Sequence, residues 1–388
     1  MYKGKKSLVQ PIDGELLVKN KYLFAYLWFA NIIIAVFFPK PEKVANITLP
    51  PNPKILLSNT AHMGDVILST CVLKRIKDSF PNSTVGFLCA SSSKSILRNH
   101  PLIDKLHYFD HWNNNRSKSS IFSKIKTSLL TFSKSVKDIK IEKYDIAIDL
   151  YFFYGNALLV LAFAKVPVRI GYTSGGFKST LTNAVKWIYE KHLSVMSYHH
   201  DLIDKVPNIK PRILEYLMPV LRSAPEVSEK KVLHYIHPHP PQSCIIFHTG
   251  SGDKNKLWQI DKWKFLAKKL LTESYNIVFT GSGEVDKETI LEIVSANSNC
   301  LDLCDKLNID ELSYLIQICK GVITVDTMVV HIATTHNTHC IVISVKSPLA
   351  ILFKSTSPNT ITFDATDSTS DVTVDMIYSE LNKLQMNK

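Results

Sequence analysis

The chain has 388 residues, more than one ordinary hydrophobic core uses, so two domains are expected. Apolar residues make up 45% and charged residues 21%, a balance that excludes disorder as the starting assumption. The formal net charge of +12 favours polyanionic partners (nucleic acid, an anionic membrane face or phosphorylated substrates) without choosing among them.

Residues 1–45 read as a separate segment. Leu23 to Phe38 (LFAYLWFANIIIAVFF) is apolar apart from Asn31, and lysines flank it at Lys19, Lys21, Lys40 and Lys43. A bilayer span needs about 20 apolar residues, so this run is short for one. No small-residue cleavage site follows it. A membrane-surface anchor is expected, with lysines meeting anionic headgroups. A helix packed on the domain's own core is the alternative.

From residue 46 the pattern alternates. Strands are expected at 54–59 (KILLSN), 84–90, 105–110, 144–150 and 168–172, with a turn TAHMGD and a helix over 66–79 after the first. Residues 113–143 are rich in lysine and carry Ile121, Phe122, Ile125, Leu129, Leu130 and Phe132 at roughly helical spacing. That is a basic amphipathic helix or helix pair, either simply solvated or a face for an anionic acceptor or membrane. Residues 221–243, rich in proline and histidine, read as a linker. The alternation restarts with strands at 244–250, 275–281, 321–327, 338–344 and 359–365. Helices are expected near Asp261, Glu284, Asp310 and Met328 and over 372–384.

Strands alternating with helices imply parallel sheets covered on both faces. The expected fold is therefore α/β, with two doubly wound Rossmann-like domains over 46–220 and 244–388. Their ligands are expected in a cleft at the carboxyl ends of the strands. The cysteines are scattered singly, without a C-x-x-C pair or a metal-ligand cluster, and read as buried free thiols.

Four short segments at strand ends carry candidate chemistry. In Met63-Gly64-Asp65-Val66, Gly64 permits a sharp bend and Asp65 stands at a helix start, as a base or as a simple cap. In His248-Thr249-Gly250-Ser251-Gly252, a Gly/Ser/Thr turn offers N–H and hydroxyl donors to phosphate, and Lys256 adds a point charge. Thr280-Gly281-Ser282-Gly283-Glu284 is a glycine turn at a helix start, suited to a nucleotide's phosphate or ribose. In Asp326-Thr327-Met328-Val329-Val330-His331, an acid ends a strand and a histidine follows on the next helix.

Together these segments resemble the lipopolysaccharide heptosyltransferase family, glycosyltransferase family 9. The run GDVILSTC matches that family's G-D-V turn; His248, Gly250, Lys256 and Trp258 match its H-x-G and K-x-W; Gly283 and Glu284 match its glycine turn. Asp326, His331 and Ala333 match its D-S-G-x-x-H-x-A, although Thr327 and Met328 stand where Ser-Gly is usual. The resemblance implies the GT-B fold and inverting transfer of a heptose from ADP-heptose to an anionic lipopolysaccharide core, at the cytoplasmic face of the inner membrane. It implies Asp65 as catalytic base. Thr249, Gly250, Ser251, Lys256, Glu284, Asp326, Thr327 and His331 would lie on the donor side, and Gly64, Lys124, Lys126 and Lys134 on the acceptor side. No D-x-D motif occurs, so neither a metal nor another cofactor is expected, and no nucleic-acid recognition motif accompanies the charge. A sugar-nucleotide epimerase, or a sugar-nucleotide-binding protein without turnover, is the alternative.

Overall fold

A computed structural model describes residues 21–37, 44, 46–115, 117–190, 193–297 and 299–386. Lys19, Phe38, Lys40 and Lys43 of the expected anchor lie outside these residues. Two units divide between Arg222 and Ser223.

In the first unit the strands are β1 (Lys54–Asn59), β2 (Thr84–Cys89), β3 (Lys105–Tyr108), β4 (Ile146–Asp149), β5 (Val168–Tyr172) and β6 (Asn183–Val185). They pair in parallel in the order β3-β2-β1-β4-β5-β6. The helices are α1 (Lys21–Phe37), α2 (Met63–Ser69), α3 (Cys71–Ser79), α4 (Lys94–Leu97), α5 (Ile121–Glu142), α6 (Leu158–Phe163) and α7 (Val195–Ile203). The central strands are apolar on both faces because helices cover both.

The second unit repeats the plan with β7 (Cys244–His248), β8 (Asn276–Thr280), β9 (Leu301–Asp302), β10 (Gly321–Val325), β11 (Cys340–Val345) and β12 (Thr360–Ala365). All pairs are parallel and the order is β12-β11-β10-β7-β8-β9. Its helices are α8 (Glu226–Ile236), α9 (Ile260–Thr272), α10 (Glu284–Ser295), α11 (Ile309–Ile318), α12 (Met328–His336), α13 (Pro348–Leu352) and α14 (Val374–Met386). Phe247, Trp263, Phe279 and Ile323 centre its core.

Two features differ from the sequence expectation, and a third bears on its two readings of residues 23–38. The helix over 66–79 breaks at Thr70, whose hydroxyl donates to the Ile67 carbonyl at 2.6 Å and bends the chain between α2 and α3. The expected linker holds α8, which packs on α11 and is tied to it by Lys231 and Glu311 at 2.9 Å. Its prolines bracket the helix instead of excluding one. The third is α1, which is not a free appendage. Ala30 and Ile34 pack against the first unit's core, and Asn31 Oδ1 accepts the Phe177 N–H. The polar interruption of the apolar run is thus a docking contact. Among the described residues, no helix is long and apolar enough to cross a membrane.

All seven cysteines are free, and six are buried. The buried Arg75 is paired: it donates to Asp204 at 2.6 Å and to the Lys210 carbonyl at 2.8 Å, fastening the segment after α7 to α3. The Val220 N–H then reaches the Thr70 hydroxyl at 2.8 Å, which keeps the chain on the first unit until it leaves for the second.

Burial pushes His111, His200, His248, His331 and His336 down to about 4 and His199 to about 3. These rings are neutral in the fold. Below their ordinary value of 6.5 the unfolded chain binds protons that the fold refuses, so stability falls as pH drops from about 6.5 to 4. Asp149, raised to about 7 by burial, works with the opposite sign and is outnumbered. Each such histidine changes the slope by up to about 1.4 kcal/mol per pH unit. Thermal unfolding should therefore show a Tm that falls steadily from pH 7 to pH 5; a flat profile would mean these rings are accessible to protons.

Candidate functional site

In each sheet the strand order reverses direction once, between β1 and β4 in the first unit and between β7 and β10 in the second. Loops leaving the carboxyl ends of two such strands diverge and open a crevice. Three of the four sequence segments fall on these loops, and the fourth follows β8, the neighbour of β7.

In the first unit the loop after β1 runs into α2. Asn59, at the end of β1, organises it: its side-chain carbonyl accepts the Ala61 N–H at 3.1 Å, and its amide donates to Ser69 Oγ at 2.7 Å. Ser69 Oγ in turn donates to the Asp65 carbonyl at 2.9 Å. The N-cap of α2 is His62, with no side-chain capping bond, so Asp65 lies inside the first turn and is not the N-cap. Its side chain is half-buried. Gly64 precedes it within the same turn.

The loop after β4 closes on this one. Thr60 Oγ1 donates to the Gly155 carbonyl at 2.7 Å, and the Asn114 amide donates to the carbonyls of Thr60 at 3.0 Å and Gly155 at 3.2 Å. Gly155 has φ +99°, a conformation that favours glycine. Asp149 anchors the loop from below. It is fully buried and accepts a hydrogen bond from the Ser58 hydroxyl at 2.7 Å, with further hydrogen bonds from the backbone of Ala157 and Tyr151.

Lys124 and Lys126 stand near the start of α5, a helix that follows β3 and therefore begins at the same edge of the sheet as the β1 loop. Lys134 is farther along α5, about 15 Å beyond Lys124 at 1.5 Å per residue. Lys126 and Lys134 are exposed and Lys124 is half-buried.

In the second unit, β8, β7 and β10 are neighbours, so three of the four segments share one edge. Lys256 Nζ meets Asp326 Oδ2 at 2.6 Å, joining the loop after β7 to the loop after β10 across the reversal point. Trp258 positions this lysine. It is buried, its Nε1 donates to the Val372 carbonyl at 3.0 Å, and it packs edge-on against Trp263. The K-x-W pattern is thus one charged group and its structural anchor.

Thr327 caps α12, accepting the Val329 N–H at 3.4 Å, so its hydroxyl supplies the cap that serine would give. His331 is buried on α12. Burial drives its pKa down, Asp326 opposes and Lys256 reinforces that, and the ring is neutral. The His331 Nδ1 and the Thr249 hydroxyl are both buried without a hydrogen-bond partner. Unpaired buried polar atoms cost free energy and gather where ligands bind.

The glycine turns are held by a residue that the sequence reading missed. A Cβ on Gly250 would lie 2.1 Å from Asp286 Oδ2, and one on Gly281 would lie 2.9 Å from Asp286 Cβ. Asp286 also accepts the Ser282 N–H at 3.0 Å, and burial raises its pKa. Close approach of its carboxyl to both loops explains why both positions are glycine. Asp286 belongs to no motif; its one sequence signal is an acid in the first turn of a helix. Glu284 is the first residue of α10 and is exposed, while Ser251 accepts the Asp253 N–H at 3.2 Å. Among the described residues no group of three or more His, Cys, Asp or Glu side chains could hold a metal ion.

The family model of glycosyltransferase family 9 (heptosyltransferase) matches residues 132–362. The lipopolysaccharide heptosyltransferase 2 of Escherichia coli K12 is 22% identical over 318 residues, covering 79% of this chain and 84% of that protein. Among solved structures, the glycosyl transferase family 9 protein of Veillonella parvula superposes with a TM-score of 0.75 at 15% identity, covering 88% of this chain and all of that one. The ADP-heptose lipopolysaccharide heptosyltransferase II of E. coli gives 0.68 at 20% identity, covering 86% of this chain and 99% of that one. The two parallel α/β units are those of the GT-B fold, and with more than half of its length matched, the chain belongs to glycosyltransferase family 9, the heptosyltransferase family.

Proposed function

We propose that this glycosyltransferase moves a heptose from ADP-heptose to an anionic lipopolysaccharide or lipooligosaccharide core, with inversion and without a metal ion. The observation that carries the donor half is the shared edge of β8, β7 and β10, where Lys256, the unpartnered Thr249 hydroxyl and the N-termini of α10 and α12 gather. Backbone N–H groups and a lysine are what a leaving diphosphate needs. The relatives' names supply the sugar and the nucleotide.

In the proposed reaction an acceptor hydroxyl oxygen attacks the anomeric carbon of the donor. Asp65 takes the hydroxyl proton as the new C–O bond forms. The bond from the anomeric carbon to the diphosphate oxygen breaks, and its electron pair leaves on ADP. Lys256 neutralises the charge that develops there, exchanging part of its contact with Asp326 for phosphate oxygen. Thr249, Gly250, Ser251 and Thr327 line the phosphates, Glu284 holds the ribose, and Asp326 and His331 face the donor sugar. Gly64 lets the acceptor approach Asp65, and Lys124, Lys126 and Lys134 attract the anionic core. An acceptor carried on lipid would bring the enzyme to the cytoplasmic face of the inner membrane as a peripheral protein.

Incubating the protein with ADP-, GDP- and UDP-sugars and truncated lipopolysaccharides, and identifying the nucleotide released, tests the assignment directly. Release of ADP coupled to a heptose-sized mass gain on the acceptor is expected. Exclusive use of a UDP- or GDP-sugar would overturn the donor.

Asp65→Asn should lower kcat by about 10²–10⁴-fold while ADP affinity, read by calorimetry, stays within about twofold. An unchanged turnover would remove Asp65 as the base. Lys256→Ala should weaken ADP binding about tenfold and AMP binding much less, since a lysine at the terminal phosphate acts mainly on the diphosphate. Equal losses for both nucleotides would place Lys256 away from that phosphate.

A further inference from the structure

Over residues 28–36 the helix α1 is apolar apart from Asn31, and an apolar helix normally has both faces covered. Here only one face is. Ala30, Asn31 and Ile34 turn toward the first unit, while Trp28, Phe29, Ile32, Ile33 and Val36 turn outward at helical spacing. Trp28 is 58% exposed, Phe29 60% and Val36 72%. The helix α5 repeats the arrangement. Phe132, Val136 and Ile139 face the core, and Ile121, Phe122, Ile125, Leu129 and Leu130 face outward, Phe122 at 82%. Among the described residues, no element other than α1 and α5 carries more than two exposed large hydrophobic side chains.

These two helices belong to one stretch of surface. The helix α1 packs on the single turn Lys178–Thr180, that turn packs on α6, and α6 packs on α5. Phe163 of α6, itself 42% exposed, meets Phe132 of α5 edge-on with ring centres 5.4 Å apart. Lys126, Lys134, Lys137 and Lys140 share the exposed side of α5 with its apolar residues, and residues 121–137 contain no acid at all.

We infer that the outward faces of α1 and α5 form a single lipid-docking surface, on which the enzyme lies with both helices along the plane of an anionic bilayer. Apolar side chains enter the headgroup–acyl boundary, and Lys137 and Lys140, outside the acceptor-side set, meet lipid phosphates. Charge selects the occupant. A second copy of this basic chain would bring lysine against lysine, whereas anionic lipid offers both an apolar phase and the opposite charge. The asymmetry of α1 also decides against a span, because Asn31 and its neighbours already belong to the protein side. The inference rests on the membrane part of the proposed function and adds the residues, the second helix and the orientation.

The full chain, mixed with vesicles of phosphatidylcholine containing phosphatidylglycerol, should float with them; with phosphatidylcholine alone, binding should fall about tenfold. Trp28→Glu with Phe29→Glu should weaken flotation about tenfold, as should Phe122→Glu with Leu129→Glu, and the four together should abolish it. Transfer to a soluble truncated acceptor should be unchanged in Trp28→Glu with Phe29→Glu, which lie away from the acceptor-side lysines, so loss of docking is read apart from failure of the proposed reaction. Fluorescence quenching of the wild-type chain by brominated lipid, and its reduction in Trp28→Phe, provides a reading that needs no charge insertion. A wild-type chain that stays in solution with anionic vesicles would overturn the inference. So would α5 substitutions without effect, or a dimer in sedimentation that the same substitutions split.

Discussion

In a parallel sheet each strand is reached from the far end of the one before it, so every strand points its carboxyl end at the same edge. Twelve strands in two sheets obey this rule without exception in the described chain. All loops that could carry chemistry are thereby gathered at one edge of each sheet. The reversal of strand order then chooses among them, falling beside β1 in one unit and beside β7 in the other. Asp65 follows β1, and Lys256 follows β7. The glycines at 250, 281 and 155 answer to the same crowding, because loops leaving adjacent strands must pass within contact distance of one another.

Within that frame the second unit leaves part of its polar chemistry open. Its cation is paired with Asp326, its histidine is neutral by burial, and the Thr249 hydroxyl has no partner. Held this way, Lys256 is oriented before any ligand arrives, and the loop carrying it is fixed by the buried Trp258 rather than by the charge. The first unit has the opposite character. Its loops after β1 and β4 are cross-linked by Thr60 and Asn114, Asn59 braces the first of them, and Asp149 is buried beneath them. A candidate base on so rigid a turn needs little reorganisation to act. The outward faces of α1 and α5 lie on this same unit, the one to which the anionic acceptor is assigned.

Much of this was legible along the chain because its signals are local. A buried parallel strand is a short apolar run bounded by turn residues, and ten of the twelve strands announce themselves that way; the exceptions, β6 and β9, are three and two residues long at sheet edges, with too few side chains to show a pattern. The four motifs were readable because a glycine turn followed by a helix start is a contiguous feature. The sequence alone thereby determined the α/β class, the two-domain plan, the family and the segments to which its chemistry is assigned as a proposal.

Tertiary structure decided what depends on residues far apart in sequence. The pairing of Lys256 with Asp326 spans 70 positions, and the clamp of Thr60 on Gly155 spans 95. Asp286 and Asp149 matter only through neighbours brought to them by the sheet, so no local pattern marked them. The linker reading did not foresee α8, because that helix owes its place to α11 rather than to its own proline-bracketed sequence. The apolar run of α1 fitted both a packed helix and a surface anchor. Only its docking through Ala30, Asn31 and Ile34 separated the face that belongs to the protein from the face left outside, because burial is a property of what surrounds a residue and not of the residue itself.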